Sequence, residues 1–253
     1  MVDKVTVATL HEMKRQRQRI VSAVCYEYQM AQIADRAGAD VLSVGDSVGR
    51  VFLAYDDPDG MTLDEMIPFA RAVNKAAERA LVSCDMPTSA VNAGPRFAAD
   101  AAKRIADETG VQMVKVDIRE DMDGLFPVVE AVLKASVLAV YPQIGYSHLV
   151  REGNPAAREV IVSKAKTLES LGAAMLDLTG VTAELYKAAS EAVRMPVIGG
   201  QSGPEADGHI YVTYPLVGYQ SSLLDKAGDG PNAAQYIFDI QKKAFANVHA
   251  GTF

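Results

Sequence analysis

The chain has 253 residues, of which 49% are apolar, with a formal net charge of −7 and a pI of about 5.2. One α/β domain of this length buries a large core, and an acidic chain without a basic stripe is not typical of a nucleic-acid-binding protein. No segment has the apolar length of a membrane span or a signal peptide. Cys25 and Cys84 lie in apolar runs without disulfide or metal-ligand spacing, so we expect a cytoplasmic protein that binds neither nucleic acid nor membrane.

Short apolar runs alternate with longer amphipathic stretches along the whole chain. The apolar runs lie at 19–26, 40–46, 80–85, 111–117, 136–143, 174–178, 195–200 and 209–219. The amphipathic stretches, with apolar residues at helical spacing, lie at 28–38, 62–78, 95–110, 121–135, 155–172, 182–193 and 231–248. Continuous apolarity is typical of parallel strands covered on both faces. The pattern predicts a (β/α)₈ TIM barrel formed as a single domain over residues 1–253, with a doubly wound open sheet as the alternative.

Polar residues stand at the carboxyl ends of most predicted strands, which is where barrel enzymes carry their chemistry. The second strand ends in Gly45, Asp46 and Ser47. In the later strands the corresponding residues are Asp85, Lys115, Asp117, Gln143, Asp177, Thr179, Gln201 and Ser202. We therefore expect one polar site at this end of the barrel.

Asp46 and Asp85 end consecutive strands, so their carboxylates are expected to lie side by side. Neighbouring carboxylates repel each other unless a proton or a cation lies between them, and hard oxygen ligands suit Mg²⁺. The pair therefore predicts a divalent metal site, which Asp117 joins directly or through water. For a single Asp at a strand end, capping of the following helix is the alternative interpretation.

Lys115 lies inside an apolar strand and therefore needs a partner. It either pairs with Asp117 or Asp85 or contacts a substrate carboxylate, and a Schiff-base role is also open. The backbone at Gly45 and the hydroxyl of Ser47 are candidates to hold one end of an anionic substrate. Tyr26, which follows the first strand, either lines the pocket or packs at the rim.

Several of these segments together resemble a known enzyme family. DVLSVGDSVGRV (40–51) and VSCDMPTSA (82–90) are the most specific, supported by AVCYEYQMAQIADRAG (23–38), MVKVD (113–117), MPVIGG (195–200) and ADGHIYV (206–212). In order and spacing they resemble the ketopantoate hydroxymethyltransferase (3-methyl-2-oxobutanoate hydroxymethyltransferase) family over roughly residues 5–220. That family belongs with the phosphoenolpyruvate mutase and isocitrate lyase barrels.

The resemblance implies an activity and a site. In such enzymes a Mg²⁺ ion held by two aspartates chelates a 2-oxo acid and stabilises its enolate, which attacks a one-carbon unit supplied by 5,10-methylene-tetrahydrofolate. Asp46 and Asp85 match the metal ligands, and Ser47 and Lys115 match residues that hold the 2-oxo acid. Asp117 stands where the family has a Glu near the metal waters. The resemblance also implies a homo-oligomer.

Two positions depart from the family pattern. Gln143 stands where the fifth strand of the family ends in a His, and His148 in the following loop either replaces that His or is an exposed loop residue. Thr179 stands where the sixth strand carries the Glu expected to act as the base, and a threonine cannot be a base at neutral pH. Asp177, two residues earlier on the same side of the strand, and Glu184 in the next helix are the alternatives.

The loops after the fifth and eighth strands, 151–159 and 220–232, also differ from the family.

Three hypotheses follow. The first is aldol addition of a one-carbon unit to a 2-oxo acid, by a transferase resembling the family. The second is a divergent lyase or decarboxylase that cleaves a 2-oxo acid and needs no base at position 179. The third is a non-catalytic ligand-binding barrel.

Overall fold

Eight parallel strands follow one another in chain order around a closed barrel in the computed structural model, which describes residues 3–57, 60–119, 121–145, 156–226 and 228–252. The strands are β1 (Ile20–Val24), β2 (Val41–Val44), β3 (Leu81–Asp85), β4 (Met113–Asp117), β5 (Ala139–Gly145), β6 (Leu176–Thr179), β7 (Val197–Gly199) and β8 (Gly208–Val212). All eight fall on the apolar runs, so the prediction of a (β/α)₈ barrel is confirmed.

Helices connect the strands. They are α1 (Val7–Arg15), α2 (Tyr28–Arg36), α3 (Val48–Phe52), α4 (Leu63–Ala76), α5 (Thr88–Asn92), α6 (Pro95–Thr109), α7 (Phe126–Ala135), α8 (Ala157–Ser170), α9 (Ala183–Ala192), α10 (Thr213–Leu216) and α11 (Ala233–Ala250), with 3₁₀ turns at Gly203–Glu205 and Ser221–Leu223. In α6, Pro95 occupies the first turn, and Gly110 ends the helix in the left-handed conformation at φ 73°. Its buried Ala98, Ala102 and Ile105 recur at helical spacing, which is why this segment forms an amphipathic helix.

Some predicted boundaries are wrong by several residues. Helix α7 begins at Phe126 rather than at 121, because the Asp121 carboxylate accepts a hydrogen bond from the Gly124 N–H at 2.8 Å and forms a separate turn. Ser136 ends that helix at φ 52°, so β5 begins only at Ala139. The last strand ends at Val212 instead of 219, since the short helix α10 follows it at once.

Backbone contacts divide the chain into two compact units, Met1–Tyr211 and Val212–Phe253. The first contains β1 to β7 and most of β8. In the second, the backbone N–H groups of Ala233 and Ala234 donate to the carbonyls of Val217 and Gly218, which fixes the start of α11. The single-domain description of the whole chain stays a prediction. Among the helices within the described residues, none is both long and apolar enough to cross a membrane.

The barrel interior changes from apolar to polar along its length. Near the amino ends of the strands, side chains of alternate residues form an apolar floor of Ile20, Val41, Leu81, Met113, Tyr141, Met175 and Ile198, joined by Val5 and by Leu10 of α1. Above it the same alternation places Ser22, Ser43, Ser83, Lys115 and Asp177. Within the described part of the chain, the hydroxyls of Ser22, Ser83 and Tyr141 are buried without a hydrogen-bond partner. The interior is therefore increasingly polar toward the carboxyl ends of the strands.

Candidate active site

Strand register brings the predicted polar residues to one end of the barrel. Asp85 of β3 is the direct partner of Lys115 of β4. Asp117 of β4 pairs with Gln143 of β5, which in turn pairs with Asp177 of β6. Because all strands run in the same direction, these side chains collect at the carboxyl end, here called the mouth.

Lys115 is the central cation of the mouth. Its Nζ lies 2.8 Å from Oδ2 of Asp85 and 3.6 Å from Oδ2 of Asp177. Burial alone would lower the pKa of Lys115, but the charges of Asp85, Asp177 and Asp117 outweigh burial and raise it above its ordinary value. The lysine is therefore a charged ion-pair partner, with Asp85 rather than Asp117 as its main partner. A protonated amine is no nucleophile, which argues against the Schiff-base role.

Asp85 is a buried carboxylate beside a second carboxylate. Burial raises the pKa of Asp85 to about 7, with Lys115 opposing this shift and Asp46 adding to it. The Ser43 hydroxyl is 3.4 Å from Oδ1 of Asp85. A Cβ on Gly45 would lie 3.0 Å from Oγ of Ser47 and 3.8 Å from Oδ2 of Asp85, so the backbone after β2 approaches the site closely. The predicted Asp46–Asp85 pair is therefore next to Gly45, a position at which any larger side chain would extend into the site.

Tyr26 borders the same carboxylates from the end of β1. Its hydroxyl and that of Ser47 are 2.8 Å apart, and its ring packs edge-on against Phe52 at 5.7 Å between centroids. Burial raises the pKa of Tyr26 to about 12, and Asp85 and Asp46 add to that increase. The hydroxyl thus stays protonated at neutral pH. The ring of Tyr26 packs against Phe52 and its hydroxyl contacts Ser47, whereas its role in lining a substrate pocket stays a prediction.

A run of polar contacts, here called the Thr179 relay, leads from β5 through β6 to Lys115. Nε2 of Gln143 donates to Oγ1 of Thr179 at 2.8 Å, and that hydroxyl donates to Oδ1 of Asp177 at 2.9 Å. Burial raises the pKa of Asp177, with Lys115 and Thr179 opposing. Glu184, the other alternative, is exposed at the start of α9 and is absent from the relay. His148 lies outside the described residues.

Asp117 is bound by a residue that the sequence analysis missed. Nε of Arg119 lies 3.0 and 2.8 Å from the two carboxylate oxygens of Asp117, and the Arg119 backbone N–H donates to Oδ1 at 2.9 Å. Burial alone would lower the pKa of Arg119, but Asp117, with smaller effects from Asp177 and Asp46, outweighs burial and raises it. The only sign of this partner in the sequence was a basic residue two positions beyond the carboxyl end of β4.

The donor set of the mouth suits a divalent cation held by two protein carboxylates. No three His, Cys, Asp or Glu side chains of the described residues are grouped closely enough to form a metal site by themselves. Both oxygens of Asp117 face Arg119, whereas Asp46 and Asp85 are hard oxygen donors that disfavour each other without a cation. Mg²⁺ commonly keeps one or two carboxylates and takes its other ligands from substrate and water, so these residues fit it. Direct ligation by Asp117 stays a prediction.

Comparison with known proteins gives a consistent assignment. The sequence profile of ketopantoate hydroxymethyltransferase matches residues 4–245. A 3-methyl-2-oxobutanoate hydroxymethyltransferase of Cytophaga hutchinsonii is 32% identical over 97% of this chain and 96% of its own length. One from Salinibacter ruber is 34% identical, covering 87% and 85%.

Solved structures share the fold at low sequence identity. Oxaloacetate acetylhydrolase in complex with 3,3-difluorooxalacetate has a TM-score of 0.66 at 14% identity and covers 99% of both chains. Phosphonopyruvate hydrolase in complex with oxalate and Mg²⁺ has a TM-score of 0.65 at 11% identity, covering 97% of this chain and 87% of its own. 2,3-Dimethylmalate lyase, a member of the phosphoenolpyruvate mutase/isocitrate lyase superfamily, has a TM-score of 0.63 at 17% identity, covering 81% and 80%. The chain belongs to the ketopantoate hydroxymethyltransferase family of enzymes.

Proposed function

We propose that this enzyme forms a carbon–carbon bond at the carbon next to the carbonyl of a small 2-oxo acid, with Mg²⁺ bound at the mouth. The observation that carries the proposal is the buried Asp85, set beside Asp46 and the charged Lys115 in a chain of this family. The names of its relatives, which specify 3-methyl-2-oxobutanoate, support a 2-oxo acid as the substrate. We further propose that the enzyme is a cytoplasmic homo-oligomer.

Asp46 and Asp85 would hold the cation. Asp117 is paired with Arg119, whereas Asp85 shares Lys115 with Asp177, so Asp46 and Asp85 together carry more negative charge than the cations beside them neutralise. When bound, a divalent cation withdraws electron density from the carbonyl and makes the adjacent C–H bond more acidic. Lys115 favours the ionised form of Asp85 against the effect of burial and holds the carboxylate in place through the 2.8 Å ion pair. An ammonium group has three N–H donors, and the one not directed at Asp85 or Asp177 would donate to the substrate carboxylate.

The hydroxyls of Tyr26 and Ser47 are placed to orient the 2-oxo acid. Their mutual hydrogen bond of 2.8 Å holds the two hydroxyl oxygens in fixed positions at the edge of the mouth. The close backbone approach at Gly45 keeps this corner open for a small anionic group. Orientation in such a pocket contributes to the rate because the reacting carbon is held in a productive position.

The Thr179 relay provides a path for the substrate proton. Thr179 is too weakly basic to take a proton alone, but its hydroxyl already donates to Asp177. A proton that arrives at Oγ1 of Thr179 would release the original hydroxyl proton to Oδ1 of Asp177. Burial raises the pKa of Asp177, which makes that carboxylate a better acceptor than an exposed aspartate. Gln143 fixes the hydroxyl orientation by donating to its oxygen.

Bond cleavage is the second candidate reaction. Retro-aldol cleavage or decarboxylation develops negative charge on the same carbon and needs no C–H deprotonation, so the family's missing Glu would not matter. The presence of Thr179 at that position is the specific observation in its favour. The one-carbon donor, which the family resemblance suggests is 5,10-methylene-tetrahydrofolate, belongs only to the addition reaction.

Deuterium exchange tests the proposal. The protein would be incubated in D₂O with Mg²⁺ and 3-methyl-2-oxobutanoate, and loss of the C3 proton would be followed by NMR. We expect exchange that stops on chelation and falls by a factor of at least about 100 in Asp85→Asn, in line with losing a group that organises the reacting charge. Asp100→Asn, which changes an exposed aspartate on α6, is the matched control.

Each outcome of the exchange experiment decides between the reactions. Exchange followed by product formation with a one-carbon donor supports addition. Release of pyruvate or CO₂ from a hydroxylated or carboxylated 2-oxo acid, abolished in Asp46→Ala, supports cleavage. If neither exchange nor cleavage occurs with any small 2-oxo acid, the proposal is wrong.

A further inference from the structure

Arg119 is a cation at the mouth that the proposed reaction leaves without a role. It follows β4 by two residues, and its side chain is 34% exposed, so it is neither a core ion pair nor a free surface residue. Lys115, four residues earlier and within β4, is 15% exposed and engaged by two carboxylates. The mouth thus contains one cation that balances the buried aspartates and a second, more accessible one.

One edge of the Arg119 guanidinium is occupied and the other is open to a ligand. Nε and Nη2 both contact the carboxylate of Asp117, which holds the group from its side. The opposite edge, formed by Nη1 and the second proton of Nη2, has no partner among the residues that the structure describes. Two parallel N–H donors on a planar edge match the two oxygens of a carboxylate.

The contact with Asp117 places this guanidinium at the mouth, because Asp117 is the strand partner of Gln143 in the Thr179 relay. Besides Asp117, the carboxylates of Asp177 on β6 and of Asp46 after β2 both raise the pKa of Arg119. Asp46 follows β2 and Asp177 lies on β6, so the charge of Arg119 acts on carboxylates from both sides of β4. A substrate whose 2-oxo acid end lies near Tyr26 and Ser47 would extend toward Arg119 with its other end.

We propose that Arg119 binds a second carboxylate on the substrate, so that the preferred substrates are 2-oxo dicarboxylic acids. Asp117 acts as a positioning residue that holds the guanidinium by one edge and leaves the other for the ligand. The proposal rests on the proposed function, because it presumes that a 2-oxo acid occupies the mouth. It adds to that function the chemical group at the far end of the 2-oxo acid, which is a second carboxylate.

A matched ligand pair tests the assignment directly. 2-Oxoglutarate and 2-oxopentanoate have the same chain length and differ only in a terminal carboxylate or methyl group. Calorimetry with the full-length protein and Mg²⁺ should show that 2-oxoglutarate binds about 10- to 100-fold more tightly, which is typical of a two-pronged charged hydrogen bond. Oxaloacetate and 2-oxobutanoate repeat the comparison at a shorter length and report the reach of Arg119.

Substitutions then assign the preference to the guanidinium. Arg119→Gln should bring the affinity ratio of the two ligands close to one, and Arg119→Lys should retain only part of it because a single ammonium lacks the planar edge. Arg104→Gln, an exposed arginine of α6 that is paired with two carboxylates, is the matched control and should keep the wild-type ratio.

The double variant Asp117→Asn/Arg119→Gln separates binding by Arg119 from repulsion by an unpaired Asp117. If the dicarboxylate preference returns in the double variant, or if wild-type protein binds both ligands equally, the proposal is overturned. C3 exchange of 2-oxopentanoate, measured on the same samples, distinguishes failure of the Arg119 proposal from failure of the proposed function. Exchange without any dicarboxylate preference refutes the role of Arg119 alone, whereas absence of both binding and exchange for every 2-oxo acid refutes the proposed function.

Discussion

Replacing Thr179 with valine removes one hydroxyl while leaving the branched shape of the side chain almost unchanged. Two hydrogen bonds disappear, the one accepted from Gln143 at 2.8 Å and the one donated to Asp177 at 2.9 Å. Gln143 and Asp177 are only 5% and 2% exposed, so water cannot readily replace the lost partner. Leaving a buried donor unsatisfied costs about 1–3 kcal/mol, and we expect the free energy of unfolding of Thr179→Val to fall by about 2 kcal/mol.

The effect of Thr179→Val on the reaction should be larger than the effect on stability. A positioned proton-transfer group contributes about 10²- to 10⁴-fold to a rate, so the C3 exchange rate should fall by at least about 100-fold. Thr179→Ser keeps the hydroxyl and is expected to retain exchange within about tenfold of wild type. Urea unfolding and NMR exchange on the same preparations measure both quantities. Exchange at the wild-type rate in Thr179→Val would refute the relay, even if stability falls as expected.

Three further predictions concern metal binding, thiol reactivity and assembly. Because burial raises the pKa of Asp85 from 3.8 to about 7, this group favours the metal-free fold at low pH and loses that contribution as pH rises through about 7. Mg²⁺ binds the deprotonated form, so the increase in Tm on adding Mg²⁺ should grow between about pH 6 and pH 8. Cys25 and Cys84 are buried and burial raises the pKa of the Cys84 thiol, so both should react with Ellman's reagent only after unfolding. Light scattering should give a native mass that is a multiple of 27.1 kDa, since α11 exposes Tyr236, Ile240 and Phe245.

Each of these has a control and a contradicting result. Asp85→Asn should remove the pH dependence of the Mg²⁺ effect, and a Tm increment that is constant with pH would contradict the assignment of Asp85. Rapid modification of either cysteine in the native protein would contradict its burial. A monomer at all concentrations would contradict the homo-oligomer.

The barrel was predictable because its signals are local. Each strand is a short apolar run, and the carboxyl-end residues Asp46, Asp85 and Lys115 follow from where those runs stop. The same rule identified Asp177 and Thr179 on β6. Knowing the strand ends was therefore enough to list most of the residues that line the mouth.

The pairing of these residues was not predictable, because side-chain partners depend on register and rotamer. The sequence allowed Lys115 to pair with Asp117 or Asp85, and the β3–β4 register decides for Asp85. Asp117 turns instead to Arg119, which lies beyond the strand and carries no periodic signal. The short helices α3 and α5 were missed for a related reason, since each has five residues and too few turns to show a helical pattern.

The barrel interior below the mouth contains the buried hydroxyls of Ser22, Ser83 and Tyr141, the last of them on a residue of the apolar floor. Within the described residues none of the three has a hydrogen-bond partner, and a hydroxyl in that condition opposes folding by about 1–3 kcal/mol. Ser83→Ala is thus expected to raise Tm without touching any residue of the mouth. For protein engineering, Ser22 and Ser83 offer a way to gain thermal tolerance at positions whose side chains form no hydrogen bond with the described residues of the mouth.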